Sequence, residues 1–333
     1  MKKTAYFNNL RIVATIAVVL LHVNSPSMYQ WGAIPYANWL FSDILNSLVR
    51  FCVPSCVMIS GALNLTKGQD LVSFFKRRFT KVIIPFAFWC VVYVAYVYFT
   101  AGGGNYLYRL YEGVKNVPFY HLWFLYTLIG LYLFTPILSV FINNCERKHI
   151  EYFLFIWGVT LFYTPFKKYL PDFKLMYFTD FIGYYVLGYY LASFKTRIEN
   201  VKASLLLILI GTLITAVGTA YYTTRQNQLF EDFCLYLTPN VVIQSIGVFL
   251  LFKTAFNNDN KNKLLGYILS FSFFIYFIHP IFIEQLGNIG FIKDLKATLS
   301  VFYIPLFALV VLTLSVLSAL ALNKIPLIKK LAF

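Results

Sequence analysis

Three of the chain's four histidines, His22, His121 and His279, fall in apolar stretches where an ionisable ring is costly. An imidazole changes charge near neutral pH, so three at one depth of a membrane point to a site of proton transfer. Arg11 precedes His22 by eleven residues, which returns it to within about 20° of the same helical face and about 16 Å along the axis. Such a guanidinium either serves the same surface as the ring or simply snorkels to lipid headgroups. Asp43, Asn46 and Arg50 follow at i, i+3 and i+7, a polar stripe along one helix face. Asp43 and Arg50 would pair with each other or face a water-filled cavity. Lys76-Arg77-Arg78 and Lys81 form a basic cluster suited to anionic headgroups and equally to a phosphate-rich ligand.

The elements that must position these residues follow from composition. Apolar residues make up 59% of the chain and charged ones 12%, against about 45–50% and about 25% in soluble proteins. The expected fold class is all-α, a polytopic membrane protein. Runs of spanning length can be placed near 6–23, 39–64, 82–100, 121–142, 150–166, 177–194, 203–222, 233–252, 266–287 and 299–323, about ten transmembrane helices. Nineteen of the 28 Lys and Arg lie on the side of the termini and eight on the other, with Arg50 inside the second span. Both termini are therefore expected in the cytoplasm, which sets the three histidines in the outer half of the membrane. The +15 charge is mostly this bias and gives little reason to expect a nucleic-acid partner. Lys2 and Lys3 before an apolar run imitate a secretory signal, but no small-residue cleavage site follows, so the first helix is expected to stay uncleaved.

No repeat or long linker divides the chain, so residues 1–333 are expected to form a single membrane domain. The irregular stretches 24–38 and Ala101–Tyr120, the latter containing Gly102-Gly103-Gly104, read either as an entrance for substrate or as plain loops. Cys52 and Cys56 share a helix face, as packing residues or as a metal or redox pair. Pro280, beside His279, is expected to bend its helix.

Taken in order, these segments resemble the acyltransferase-3 family of integral-membrane acyltransferases. Arg11 and His22 match its Arg-x10-His signature, and Arg50-Phe51-Cys52-Val53-Pro54 with Met58-Ile59-Ser60-Gly61 matches its second-helix pattern. Arg78-Phe79-Thr80-Lys81 is similar to its cytoplasmic Arg-x-x-Arg motif, with lysine in the last place. His121-Leu122-Trp123-Phe124-Leu125, Tyr184-Tyr185-Val186-Leu187-Gly188 and Ser272 through Pro280 resemble later segments. The likeness is to the short stand-alone branch that includes O-acetyltransferases of enterobacterial common antigen, without the esterase-like domain of longer members.

The resemblance implies transfer of an acyl group, usually acetyl, from cytoplasmic acyl-CoA to a hydroxyl of a glycan or other acceptor across a bacterial inner membrane. Acetyl-CoA or another acyl-CoA would be the donor substrate, membrane lipids would surround the protein, and no metal is expected. His22 is then the leading base, with Asp43 as a possible orienting carboxylate and Arg11 or Arg50 as electrostatic partners. His279 and His121 are secondary candidates, for acceptor binding or an acyl relay. Arg77, Arg78 and Lys81 would hold the CoA phosphates. The competing expectation is a proton-coupled transporter or flippase of a glycan precursor, which would show broken helices in matching positions of two halves.

Overall fold

The computed structural model of the chain describes residues 5–65, 70–100, 111, 113, 115–166, 180–259, 261–292 and 299–333. Most of the stretch Ala101–Tyr120, including its three glycines, lies outside the described residues, as does the start of the expected span 177–194. Among the described residues there are helices and turns but no strand. The first helices are α1 (Ala5–Met28), α2 (Tyr36–Val49), α3 (Cys52–Asn64), α4 (Leu71–Arg78), α5 (Ile84–Thr100), α6 (Trp123–Asn144) and α7 (Arg147–Phe166). They continue as α8 (Ile182–Ser193), α9 (Val201–Gln226), α10 (Pro239–Ala255), α11 (Lys263–Ser270), α12 (Ser272–Gly287), α13 (Tyr303–Leu322) and α14 (Pro326–Ala332). The protein is an all-α polytopic membrane protein.

Seven described helical stretches are long and apolar enough to cross a bilayer, or eight if α11 and α12 count as one broken span. The expected span 150–166 and the described part of 177–194 fall short of that measure. Charge at Arg147, Lys148 and Glu151 dilutes α7, and α8 has 12 residues among those described. The expected span 266–287, with its bend expected at Pro280, is instead two helices that meet at 85° earlier in the chain. The bend falls at Phe271, whose φ of −107° and ψ of 13° lie outside the helical region, and Pro280 sits within the continuous α12.

Prolines shape the chain elsewhere. Pro54 has no N–H to give the carbonyl four residues back, that of Arg50, and the second span divides there into α2 and α3. Pro85 likewise cannot engage the Lys81 carbonyl. The turn before it widens into a π-helix over Phe79–Ile83, closed by the Ile84 N–H on the Phe79 carbonyl.

The helices gather into two compact units. One comprises Met1–Asn64 with Cys145–Val316, and the other Leu65–Asn144 with Leu317–Phe333. In the first, α1 packs against α2, α3 and α12, α8 lies along α3, and α9 lies along α10. The α3–α8 crossing is backbone to backbone: Gly61 faces the Tyr185 carbonyl and Gly188 the Met58 carbonyl, with no room at either glycine for a Cβ. Polar side chains join the other helices. Asn240 donates to Thr215 Oγ1 at 2.7 Å, and Gln244 donates to Thr212 Oγ1 at 2.7 Å and to the Ser47 carbonyl at 2.8 Å. In the second unit α14 rests on α5, where Trp89 Nε1 donates to the Ala332 carbonyl at 3.3 Å.

This packing yields a contrast between two glycines. Gly188→Val drives a side chain into the Met58 backbone and should lower stability by at least the roughly 1–3 kcal/mol of an overpacked core. Gly130→Val meets open space and should leave stability unchanged. Thermal unfolding of the two variants in detergent checks this; equal melting temperatures would contradict the close crossing.

Candidate active site

The first unit brings His22 of α1 and His279 of α12 together. Nδ1 of His22 lies 2.7 Å from Nε2 of His279, with the rings nearly parallel at 16° and their centroids 5.0 Å apart. Nδ1 of His279 lies 2.9 Å from the Ile275 carbonyl one turn back. The ring also bonds to the Tyr276 carbonyl, which Pro280 cannot engage.

These contacts assign the protons. A carbonyl only accepts, so neutral His279 carries its proton on Nδ1 and presents a lone pair at Nε2. His22 must then donate from Nδ1, which leaves its own lone pair on Nε2. His279 thus fixes the tautomer and orientation of His22, as a carboxylate does for the base of a hydrolase triad. His279 is fully buried, and His22 is partly accessible.

Arg50 caps the C-terminal end of α2 beside the joint that Pro54 creates. Its Nη2 donates to Asn46 Oδ1 at 2.8 Å, one turn back on the same face, and its guanidinium lies 5.7 Å from the centre of the Tyr236 ring. Asn46 in turn donates to Cys234 Sγ at 3.3 Å. The Tyr236 carbonyl accepts the Tyr184 hydroxyl at 2.6 Å. Arg50 is close enough to interact electrostatically with His22, and its Nε is a buried donor with no hydrogen-bond partner among the described residues. A base with a lone pair and a nearby guanidinium suit attack by a hydroxyl on an acyl carbon, where a proton leaves and an oxyanion forms.

Asp43 does not make the contact expected of it. It is fully buried on α2, and neither carboxylate oxygen has a hydrogen-bond partner among the described residues. It therefore neither orients His22 nor forms an ion pair with Arg50. His279 holds the position beside the base that sequence reasoning reserved for a carboxylate. Arg11 is half-buried near Cys56 of α3, with no hydrogen bond or ion pair from its guanidinium among the described residues. The helical rise keeps it well short of His22.

The remaining candidates belong to the second unit. His121 is buried in the turn Tyr120–Leu122, with ring centroids 5.0 Å from Tyr93, 5.7 Å from Tyr120 and 5.8 Å from Phe119. Within the first unit the structure brings His22 and His279 together. The basic cluster is also divided. Arg78 places its guanidinium 5.4 Å from the Phe74 ring and 4.9 Å from that of Tyr132, whereas Arg77 and Lys81 are exposed, Lys81 on the π-turn. Tyr236, Cys234 and Asn46 are among the residues around Arg50. Asn46 was legible as part of a polar stripe, but residues 234 and 236 carry no spacing signal that ties them to it.

Comparison with known proteins adds the reaction class. No curated protein and no solved structure matches the chain. The family model described as an acyltransferase domain matches residues 4–320. That match spans both units and includes the histidine pair, Arg50 and the basic cluster: the chain belongs to the acyltransferase-3 family and is a membrane acyltransferase.

Proposed function

We propose that this acyltransferase moves an acyl group, acetyl in the first instance, from cytoplasmic acyl-CoA to a hydroxyl of a cell-surface or periplasmic glycan in a bacterial inner membrane. The observation that carries the reading is the hydrogen-bonded chain from the Ile275 carbonyl through His279 to His22. It leaves a basic nitrogen within electrostatic reach of Arg50 in a protein of known acyltransferase family. The acceptor hydroxyl gives its proton to Nε2 of His22 as its oxygen attacks the thioester carbon. Arg50 stabilises the oxyanion of the tetrahedral intermediate. The C–S bond then breaks, the proton passes to the departing CoA sulfur, and the ester remains on the acceptor. His279, accepting from Nδ1 of His22, stabilises the imidazolium formed on the way. Family membership favours this chemistry over carriage of a glycan precursor. Mass spectrometry of surface glycans from cells with and without the gene tests the proposal, and identical glycans would overturn it.

The two histidines have separable roles. His22→Ala should lower glycan acylation per inserted protein by on the order of 10²-fold or more. His279→Ala should cost less, and His279→Gln, whose amide oxygen can still accept from Nδ1 of His22, should recover part of that loss. Equal activity of the alanine and glutamine variants at position 279 would remove its positioning role.

For the donor, Arg77 and Lys81 are the accessible cations that would meet CoA phosphates, while Arg78 is held by aromatic rings. The double variant Arg77→Ala with Lys81→Ala should raise the acetyl-CoA KM several-fold with little change in kcat. Arg78→Ala should instead lower thermal stability. An unchanged KM in the double variant would rule out this donor site.

The orientation expected from the charges has its own check. In a cysteine-free background, Gln228→Cys should react with an impermeant thiol reagent from outside intact cells, and Lys261→Cys only after permeabilisation. The reverse pattern would invert the topology.

A further inference from the structure

A second feature of the first unit lies about a quarter-turn around α2 from the stripe of Asp43 and Asn46. Leu40 and Ile44 of α2 face Leu213, Ala216, Val217 and Ala220 of α9 across an open apolar groove of about 630 Å³. Ile44, Leu213 and Val217 are exposed, so within a membrane the groove opens to hydrocarbon rather than to protein. From Leu213 to Arg225 the helix rises about 18 Å, slightly more than half of a hydrocarbon core of about 30 Å. The groove therefore has the length of one leaflet.

Its end is polar. Tyr36, Tyr221 and Arg225 line it there, and Arg225 Nη1 donates to the Tyr221 hydroxyl at 3.1 Å. Just beyond, α9 stops at Asn227 in a left-handed conformation, and the chain continues through Gln228. The nearest carboxylate of that connection, Glu231, already accepts from the Tyr29 hydroxyl at 3.0 Å. A leaflet-long apolar slot that ends in an exposed guanidinium complements a single-phosphate headgroup with a hydrocarbon chain below it.

We propose that this groove binds an anionic glycerophospholipid, its acyl chain between α2 and α9 and its phosphate on Arg225. The site is separate from the histidine pair, and it depends on the protein spanning a membrane rather than on the reaction it catalyses.

The test uses the full-length protein in detergent, exposed to mixed micelles containing equal phosphatidylglycerol and phosphatidylcholine, with retained lipid counted by native mass spectrometry. The wild type should retain phosphatidylglycerol about fivefold over phosphatidylcholine. Arg225→Gln should erase that preference, and Arg197→Gln, which alters an exposed cation elsewhere, should preserve it. Ala220→Trp, which fills the groove, should retain neither lipid while melting at the wild-type temperature. If that variant fails to fold, the Arg225 and Arg197 pair still decides. Unchanged preference in Arg225→Gln would overturn the proposal. So would displacement of phosphatidylglycerol by an equimolar polyprenyl phosphate, which would assign the groove to a lipid carrier.

Discussion

Hydrocarbon offers no water to a polar group, and this fold is organised by the need to find every such group a partner inside the protein. Helices satisfy the backbone almost everywhere. Prolines interrupt this, and three of them lie close to candidate side chains. Pro54 has no N–H for the carbonyl of Arg50, and the chain breaks there to leave Arg50 at a helix end. Pro85 does the same to Lys81, within a widened π-turn. Pro280 cannot engage the Tyr276 carbonyl, and the ring of His279 bonds to it instead.

Side chains follow the same constraint. The close α3–α8 crossing uses glycines where a Cβ would meet backbone, and α9 and α10 are held by Asn240, Gln244 and threonine hydroxyls. Against this well-satisfied frame, the carboxylate oxygens of Asp43 and the hydroxyls of Ser42 and Ser47 are buried without hydrogen-bond partners among the described residues. An unsatisfied buried polar group costs about 1–3 kcal/mol. All three lie on α2 between Ser42 and Ser47, on the helix that ends at Arg50.

Charge is treated in two ways. Arg50 and Arg78 both lie against aromatic rings, which lowers the cost of burying a guanidinium and fixes its plane. Arg77 and Lys81 remain in contact with solvent, able to meet a ligand that arrives from outside. A run of basic residues that looks uniform in the sequence therefore contains a structural cation and accessible ones, set apart by the aromatic rings of Phe74 and Tyr132 against Arg78.

The sequence by itself determined the class of the protein. Its sparse charges and unbroken apolar runs of about 20 residues indicate membrane helices, because a helix satisfies its backbone within one such run, whereas the strands of a barrel are shorter and alternate apolar with polar. The ordered segments from Arg11 to Pro280 carry the family. Individual residues were legible to differing degrees. His22 and Arg50 stood out as ionisable groups in apolar segments, and the i, i+3, i+7 pattern placed Asn46 beside Arg50. The partner of His22 was not legible, since 257 residues separate it from His279 and no local periodicity links them. Asp43 looked the better partner because a carboxylate is the commoner support for a base, but its oxygens do not reach the ring. The bend at Phe271 was equally hidden, as the nearby proline drew attention nine residues too far along. Helix periodicity says which residues share a face; only the packing of α1 against α12 decided which ring meets which, because that contact depends on how distant helices cross.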